Sequence, residues 1–118
     1  MVVDSQAKAA VSASRRDTTL RISDGSVVVD QEGSADSGHS DFIATLPEDA
    51  CRYGFYTDPS SGGLIFVQWV PEGASVKQKM QYSAEAQVVK AELGINRYIQ
   101  ASEYSEINEE TLAKACRQ

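Results

Sequence analysis

Residues 64–83 of the chain read LIFVQWVPEGASVKQKMQYS, a stretch that combines an apolar run, a turn and the start of a helix. Its first seven residues, Leu64–Val70, are apolar at six positions, which predicts a strand covered on both faces. A Pro-Glu-Gly turn then breaks the strand, and Ser75 is placed to cap a helix, with Gln78 at the capping-box position. We therefore expect a buried strand that leads directly into a helix, as in a sheet flanked by helices.

The predicted helix runs from Ser75 to Leu93 and ends at Gly94. Apolar side chains recur along it every three or four residues, at Val76, Met80, Ala84, Val88 and Ala91. Because residues four apart lie on the same side of a helix, we expect this row to pack on the sheet. Met80 is then a core residue, and its replacement by alanine is expected to cost stability.

Two pairs of strands account for most of the predicted sheet. Thr18–Ser23 and Ser26–Gln31 contain β-branched residues and are separated by an Asp-Gly pair, which indicates a hairpin. Cys51–Thr57 is a second apolar run, and we expect it to pair antiparallel with Leu64–Val70 across the turn-forming residues Asp58–Gly63.

The remaining elements complete a single domain over residues 1–118. In chain order we predict an Asp4-capped helix to Arg16, a loop at Glu32–Ser40, a short helix capped by Ser40 or Asp41 and continuing to Leu46, a strand at Arg97–Ala101, and a last helix capped by Asn108. The last strand follows a helical crossover, so it is expected to lie parallel to its neighbour. The predicted fold class is α/β, with a central mixed sheet and helices on both faces.

Composition narrows the class of protein. The formal net charge is −6 and the isoelectric point is near 4.7, which argues against general nucleic-acid binding because that needs a basic surface. No apolar run approaches the roughly 20 residues that a membrane-spanning helix requires. The two cysteines, Cys51 and Cys116, lack metal-ligand spacing, and a reduced, buried thiol is the ordinary interpretation of Cys51. We expect a soluble, cytoplasmic, monomeric protein.

Patterns typical of catalysis or metal binding are weak. The single histidine, His39, lies in the predicted Gly/Ser-rich loop and is expected to be solvated, and Cys51 has no nearby base. No nucleophile elbow or phosphate-binding glycine pattern is present. One group of acidic residues lacks the spacing of an EF-hand calcium site: Asp36, Asp41, Glu48 and Asp49. A second acidic cluster is explained by a loop and by a helix N-terminus, which favours negative charge: Glu103, Glu106, Glu109 and Glu110. We expect neither an enzyme nor a cofactor.

Two lysines, Lys77 and Lys79, stand in the first turn of the long predicted helix. Cations there oppose the helix dipole, at a cost of a few tenths to about 1 kcal/mol. One interpretation is that they face an acidic partner. The other is a solvated first turn, and spacing alone favours it because surface lysines are common.

Five segments together resemble the actin-depolymerising factor/cofilin family in order and spacing: Asp49–Gly54, Leu64–Pro71, Ala74–Ser83, Ile99–Ala101 and Ser105–Ile107. The combination of Trp-x-Pro, Lys-x-Lys-Met-x-Tyr and Gln-Ala is specific, although each block alone is weak. The resemblance covers the chain from about Phe42 to the C-terminus, and the residues before that agree only in outline.

The resemblance implies the fold predicted above and binding to actin monomers, preferably ADP-bound. It places the long helix in a cleft of actin. The monomer-binding residues that it implies are Val3, Asp4, Lys77, Lys79, Met80, Glu103, Glu106 and Ile107. It also implies promotion of filament disassembly, association with the cytoskeleton, and no cofactor.

Departures from the family pattern lower the expected affinity for filaments. Members that sever filaments well carry a longer, basic hairpin between the two central strands, whereas Asp58–Gly63 contains no lysine or arginine. Basic residues common in the family are replaced at Ala86, Ala91, Ala115 and Gln118, which leaves Lys90, Lys114 and Arg117 as candidate filament contacts. We expect weak filament binding and, for the same reason, weak phosphoinositide binding.

The family's inhibitory phosphoserine lies in a short leader before the first helix, and from the start Met1–Asp4 we expect no counterpart of that leader here.

Two alternative functions stay open. One is a coactosin-like protein that binds the sides of filaments without depolymerising them. The other is an enzyme or small-molecule binder on the same scaffold, which a deep polar pocket with perturbed titrating groups would favour.

Overall fold

A computed structural model describes residues 2–12, 17–32, 39–57 and 63–117. Its elements are strand β1 (Val2–Val3), helix α1 (Ser5–Ser12), strands β2 (Asp17–Ser23) and β3 (Ser26–Glu32), helix α2 (His39–Ala44), strands β4 (Arg52–Thr57) and β5 (Leu64–Trp69), helix α3 (Val76–Leu93), strand β6 (Arg97–Ala101), a 3₁₀ turn (Tyr104–Ile107) and helix α4 (Glu109–Arg117).

The six described strands form one mixed sheet in the order β1-β3-β2-β4-β5-β6. The four central strands pair antiparallel, and the two edge strands, β1 and β6, lie parallel to their neighbours. Both predicted hairpins and the parallel last strand are therefore confirmed. The first hairpin turns at Asp24 and Gly25, whose φ angles of 49° and 78° are the left-handed values that an Asp-Gly turn adopts.

Helices cover both faces of the sheet, as predicted, and each face has its own core. On one face, α1 and α3 pack over side chains that include Leu20, Tyr53, Phe55 and Phe66. On the other face, α2 and α4 pack over Tyr56, Ile65, Val67 and Trp69. Side chains along β4 and β5 point alternately to the two faces of the sheet. Because both faces are covered by helices, nearly every residue of these strands is apolar.

Several helices and strands begin or end at other residues than the sequence predicted. The first helix begins after Asp4 as expected, and residues 13–16 of its predicted span lie outside the described residues. The short helix begins at His39, so the prediction that Ser40 or Asp41 caps it was wrong, and both stand in its first turn. Strand β1 and the 3₁₀ turn were not predicted. The expectations for the loop at residues 33–38 and the basic-free connection at residues 58–62 also lie outside the described part of the chain.

The predicted phase of the long helix was wrong. Its sheet-facing side carries Tyr82, Ala86, Val89 and Leu93, all buried. The row that was expected to pack on the sheet is exposed instead, at Val76, Met80, Ala84, Val88 and Ala91. None of the helices within the described residues is long and apolar enough to cross a lipid bilayer.

Candidate binding surface on the long helix

Both ends of α3 are fixed by local hydrogen bonds. The Oγ of Ser75 accepts a hydrogen bond from the backbone N–H of Gln78 at 3.2 Å, which confirms the predicted N-cap. The side chain of Gln78 has a different role from the one expected, because its Oε1 accepts from the backbone N–H of Cys51 at 2.9 Å. At the other end, Gly94 adopts a left-handed φ of 72° and closes the helix as predicted.

Polar contacts beneath α3 decide which side of the helix faces the sheet. The hydroxyl of Tyr82 accepts a hydrogen bond from the backbone N–H of Ile22 at 2.9 Å, and Tyr53 donates to the backbone carbonyl of Tyr82. Buried Gln68 donates from Nε2 to the Oγ of Ser83 at 3.2 Å. A buried tyrosine needs a partner for its hydroxyl, so the phase that satisfies Tyr82 is strongly preferred over the alternative.

The outward side of α3 carries an apolar ridge, formed by Val76, Met80, Ala84, Val88 and Ala91. The three larger side chains of this apolar ridge are 72 %, 68 % and 47 % exposed, at Val76, Met80 and Val88 respectively. Single exposed apolar residues are ordinary, but a continuous row along one helix is a feature of interaction sites. Sequence reasoning found these residues and assigned them to the core.

The two lysines of the first turn do not point the same way. Residues two apart on a helix are separated by about 200° around its axis. Lys77 is exposed and lies beside the apolar ridge. Lys79 is half-buried at the border with the sheet, and its Nζ lies 3.9 Å from Oε2 of Glu72. The structure therefore places Lys77, Met80 and the rest of the apolar ridge on one surface, with Lys79 at its margin.

The loop before α4 is tightly organised. The Oε1 of Glu106 accepts three hydrogen bonds, from the N–H of Ser102 at 2.8 Å, the Oγ of Ser102 at 3.0 Å and the N–H of Glu103 at 3.1 Å. The backbone and hydroxyl bonds from Ser102, opposed by a smaller effect of burial, hold the pKa of Glu106 below its ordinary value. Glu106 is thus engaged within the loop, and Glu103 is the exposed carboxylate beside it.

Two of the residues expected in the binding surface are buried. Val3 is 6 % exposed and Ile107 is 0 % exposed, so each can position the surface but cannot present its side chain to a partner. Asp4 is half-buried, and its Oδ2 accepts from the N–H of Gln6 at 3.2 Å, which caps α1.

The candidate filament contacts are distributed over two faces of the molecule. Lys90 is half-buried on α3, whereas Lys114 lies on α4, across the sheet, where its Nζ is 3.9 Å from Oε1 of Glu110. The side chain of Arg117 lies outside the described part of the structure. Ala86, one of the residues said to replace a basic residue of the family, is buried against the sheet at 2 % exposure.

His39 is not a solvated loop residue. Its Nε2 lies 2.7 Å from the carbonyl oxygen of Ile107, and its ring meets the edge of Tyr56 at 6.1 Å between centroids. This contact joins α2 to the loop before α4.

The side chains of Cys51 and Cys116 are both buried, as interpreted for Cys51. Burial raises the pKa of the Cys51 thiol despite the opposing charges of Lys79 and Arg52.

Comparison with known proteins agrees with this architecture. The family model described as "Cofilin/tropomyosin-type actin-binding protein" matches residues 1–117. Actophorin of Entamoeba histolytica is 35 % identical over 105 residues, which cover 80 % of this chain and 76 % of that protein.

Two solved structures show the same fold. The cofilin of Streptomyces griseoflavus has a TM-score of 0.87 at 23 % identity, with 98 % of each chain covered. Mouse coactosin, described as an actin filament binding protein, has a TM-score of 0.77 at 18 % identity, covering 99 % of this chain and 90 % of that one. On the family match over almost its whole length, this chain belongs to the actin-depolymerising factor/cofilin family of actin-binding proteins.

Proposed function

We propose that this protein binds actin monomers through the exposed side of α3 and promotes the disassembly of filaments. The observation that carries the proposal is the apolar ridge, flanked by Lys77, on a helix whose opposite side is fully used by the core. Family membership supplies the partner, and the apolar ridge supplies a surface that gains from being covered.

Charge and shape support the same surface. Lys77 weakens its own helix terminus, and an acidic partner would turn that cost into an attraction that raises the association rate. Met80 is a flexible, polarizable side chain suited to contact with a partner of irregular shape. We infer that Asp4 and Glu103 border the contact, that Lys79 lies at its margin, and that Glu106, Val3 and Ile107 hold its edges in place.

The depolymerising mode would follow from differential affinity. A protein that binds one conformation of actin more tightly shifts the polymerisation equilibrium toward that conformation. We propose preference for ADP-bound monomers, weak filament binding through Lys90, Lys114 and Arg117, and weak attraction to phosphoinositides. The protein would act without catalysis, as a monomer associated with the cytoskeleton. Side binding to filaments is the second candidate, and the likeness to coactosin favours it.

Affinity for monomeric actin tests the surface. Lys77→Ala should weaken binding by about 1–3 kcal/mol if its ammonium pairs closely with carboxylates, and Lys79→Ala should do less because Lys79 is half-buried beside Glu72. Lys8→Ala is the matched control, since this lysine pairs with Glu92 at 3.2 Å at the other end of α3. Equal effects of Lys77→Ala and Lys8→Ala would contradict the assigned surface.

Co-sedimentation with filaments separates the two modes. A depolymerising protein increases the actin left in the supernatant as its concentration rises. A side-binding protein pellets with the filaments and leaves the supernatant unchanged, which would favour the second candidate.

A further inference from the structure

A groove of about 260 Å³ opens beside the turn that leads from β5 into α3. Its walls come from three separate segments: the loop after α2, the turn between β5 and α3, and the loop after β6. The apolar part of the groove is formed by Trp69, Pro71 and Tyr104. Three carboxylates, those of Glu48, Glu72 and Glu103, stand around the same groove.

The aromatic walls are held rigidly and use their polar atoms elsewhere. The indole Nε1 of Trp69 donates to the carbonyl oxygen of Pro47 at 2.6 Å, and the hydroxyl of Tyr104 donates to the carbonyl oxygen of Leu46 at 2.7 Å. The two rings pack with their centroids 4.8 Å apart. Trp69 is only 1 % exposed and supports the ring of Tyr104 from behind, so the half-buried Tyr104 is the aromatic ring that the groove presents. The charged groups that line the groove are carboxylates.

A close backbone approach fixes the distance between two of the walls. A Cβ added at Gly73 would lie 2.5 Å from the carbonyl oxygen of Glu48. Any side chain at residue 73 would push the β5–α3 turn away from the loop that carries Glu48. The glycine thus keeps Glu48 and Glu72 on neighbouring sides of one narrow opening.

The electrostatic character of the groove is negative. The side chain of Glu72 is 86 % exposed, and its contact with Lys79, at 3.9 Å, is at the outer limit for an ion pair. Glu48 and Glu103 are also exposed. Burial, followed by the charges of Glu48 and Asp49, raises the pKa of the Tyr104 hydroxyl, which reflects the same negative field.

We propose that this groove receives one arginine side chain from the surface of the bound actin monomer. The inference rests on the proposed function. At about 260 Å³ the groove is smaller than the pockets that hold drug-sized ligands, and its size suits a single side chain. A guanidinium group can stack on the ring of Tyr104 and reach more than one of the surrounding carboxylates at once, which matches this groove better than an ammonium does.

The position of the groove is consistent with that role. The groove is lined by Glu72, whose carboxylate approaches Lys79 in the first turn of α3, and by the loop that carries Glu103. Lys79 and Glu103 both belong to the edge of the proposed contact surface. Occupation of the groove would fix the rotation of the partner about the apolar ridge, which apolar contact alone does not determine.

The test is the affinity of the full chain for monomeric actin, measured at low and moderate salt. The groove variant is Glu48→Gln with Glu72→Gln, and the control is Glu109→Gln with Glu110→Gln on α4. Each pair changes the net charge from −6 to −4, so the long-range field changes equally in both. The change at Glu72 also removes the carboxylate that approaches Lys79. This side effect would strengthen contact with an acidic partner, so it cannot account for weaker binding by the groove variant.

We expect the groove variant to bind actin at least about tenfold more weakly than the control, with a smaller dependence on salt. Thermal unfolding of both variants checks that the fold is intact. Equal affinities of the two variants would overturn the arginine site and leave the proposed function standing. If the unmodified chain fails to bind monomeric actin, the proposed function is overturned, and this inference falls with it.

Discussion

The phase of α3 gives the most informative prediction about this molecule. Two apolar residues of the same helix, Met80 and Val89, face opposite ways: Met80 is 68 % exposed and Val89 is 0 % exposed. Replacing each by alanine should separate the effect on stability from the effect on binding.

The expected magnitudes follow from burial. Val89→Ala removes two buried carbon atoms at about 0.8 kcal/mol each, and the cavity left under the helix adds to this, for a loss of about 2–3 kcal/mol in the free energy of unfolding. Met80→Ala removes a side chain that already lies largely in water, so the free energy of unfolding should change by less than about 0.5 kcal/mol. Truncation of Met80 should instead weaken actin binding by about 1–2 kcal/mol.

Urea unfolding followed by circular dichroism measures the first quantity, and titration of monomeric actin measures the second. Val89→Ala should retain close to full affinity for actin under conditions where it is folded. A loss of 2 kcal/mol or more in the stability of Met80→Ala, with little change in that of Val89→Ala, would refute the helix phase described above.

Three further outcomes are expected. Tyr82→Phe should destabilise the protein by about 1–3 kcal/mol in urea unfolding, because the backbone N–H of Ile22 loses its acceptor, and an unchanged midpoint would contradict this. Gly73→Ala should lower the melting temperature, because its Cβ would collide with the carbonyl oxygen of Glu48, whereas Gly73→Ala with unaltered melting would mean that the loops separate freely. The depressed pKa of Glu106 means that its contribution to stability is complete above the ordinary carboxyl pKa of about 4.3 and is lost as the pH falls through the lower folded value. In Glu106→Gln, the free energy of unfolding should therefore fall less steeply as the pH is lowered below about 4.3. An unchanged pH dependence would mean that other groups cause the loss of stability in acid.

The sheet could be predicted from the sequence because its signals are local. The apolar run at Leu64–Val70, the Asp-Gly turn and the caps at Ser75 and Asn108 each depend on a few neighbouring residues. Asn108 does accept from the N–H of Thr111 at 2.9 Å, as its position predicted. Strand β1 was missed because two residues, Val2–Val3, carry too little pattern to show a strand.

The phase of α3 could not be read in this way, because apolar residues occur on both of its sides. An i, i+4 row through Val76 and Met80 fits a core pattern as well as the row through Tyr82 and Val89 does. What decides between them is the hydrogen bond that the hydroxyl of Tyr82 accepts from the backbone N–H of Ile22, 60 positions away in the chain. Tyr82, a large aromatic residue with a hydroxyl group, lies on the helix side opposite Val76 and Met80, and it is the sequence signal that favoured the correct phase.

The candidate site shows the same division between local and long-range information. Lys77 and Met80 were found from one short motif. The groove was not found, because Glu48, Trp69 and Tyr104 come from three segments that only the folded sheet brings together. The lone His39 was assigned to solvent because the sequence gives no sign of its contact with the carbonyl oxygen of Ile107.

Trp69 is the single tryptophan of the chain, and it stands in the wall of the groove against Tyr104. The intrinsic fluorescence of this protein under tryptophan-selective excitation therefore reports on one defined place. Its emission should shift to longer wavelength when the α4 side of the sheet is exposed to water. The chain thus carries a built-in optical probe for opening of that face, without any attached dye.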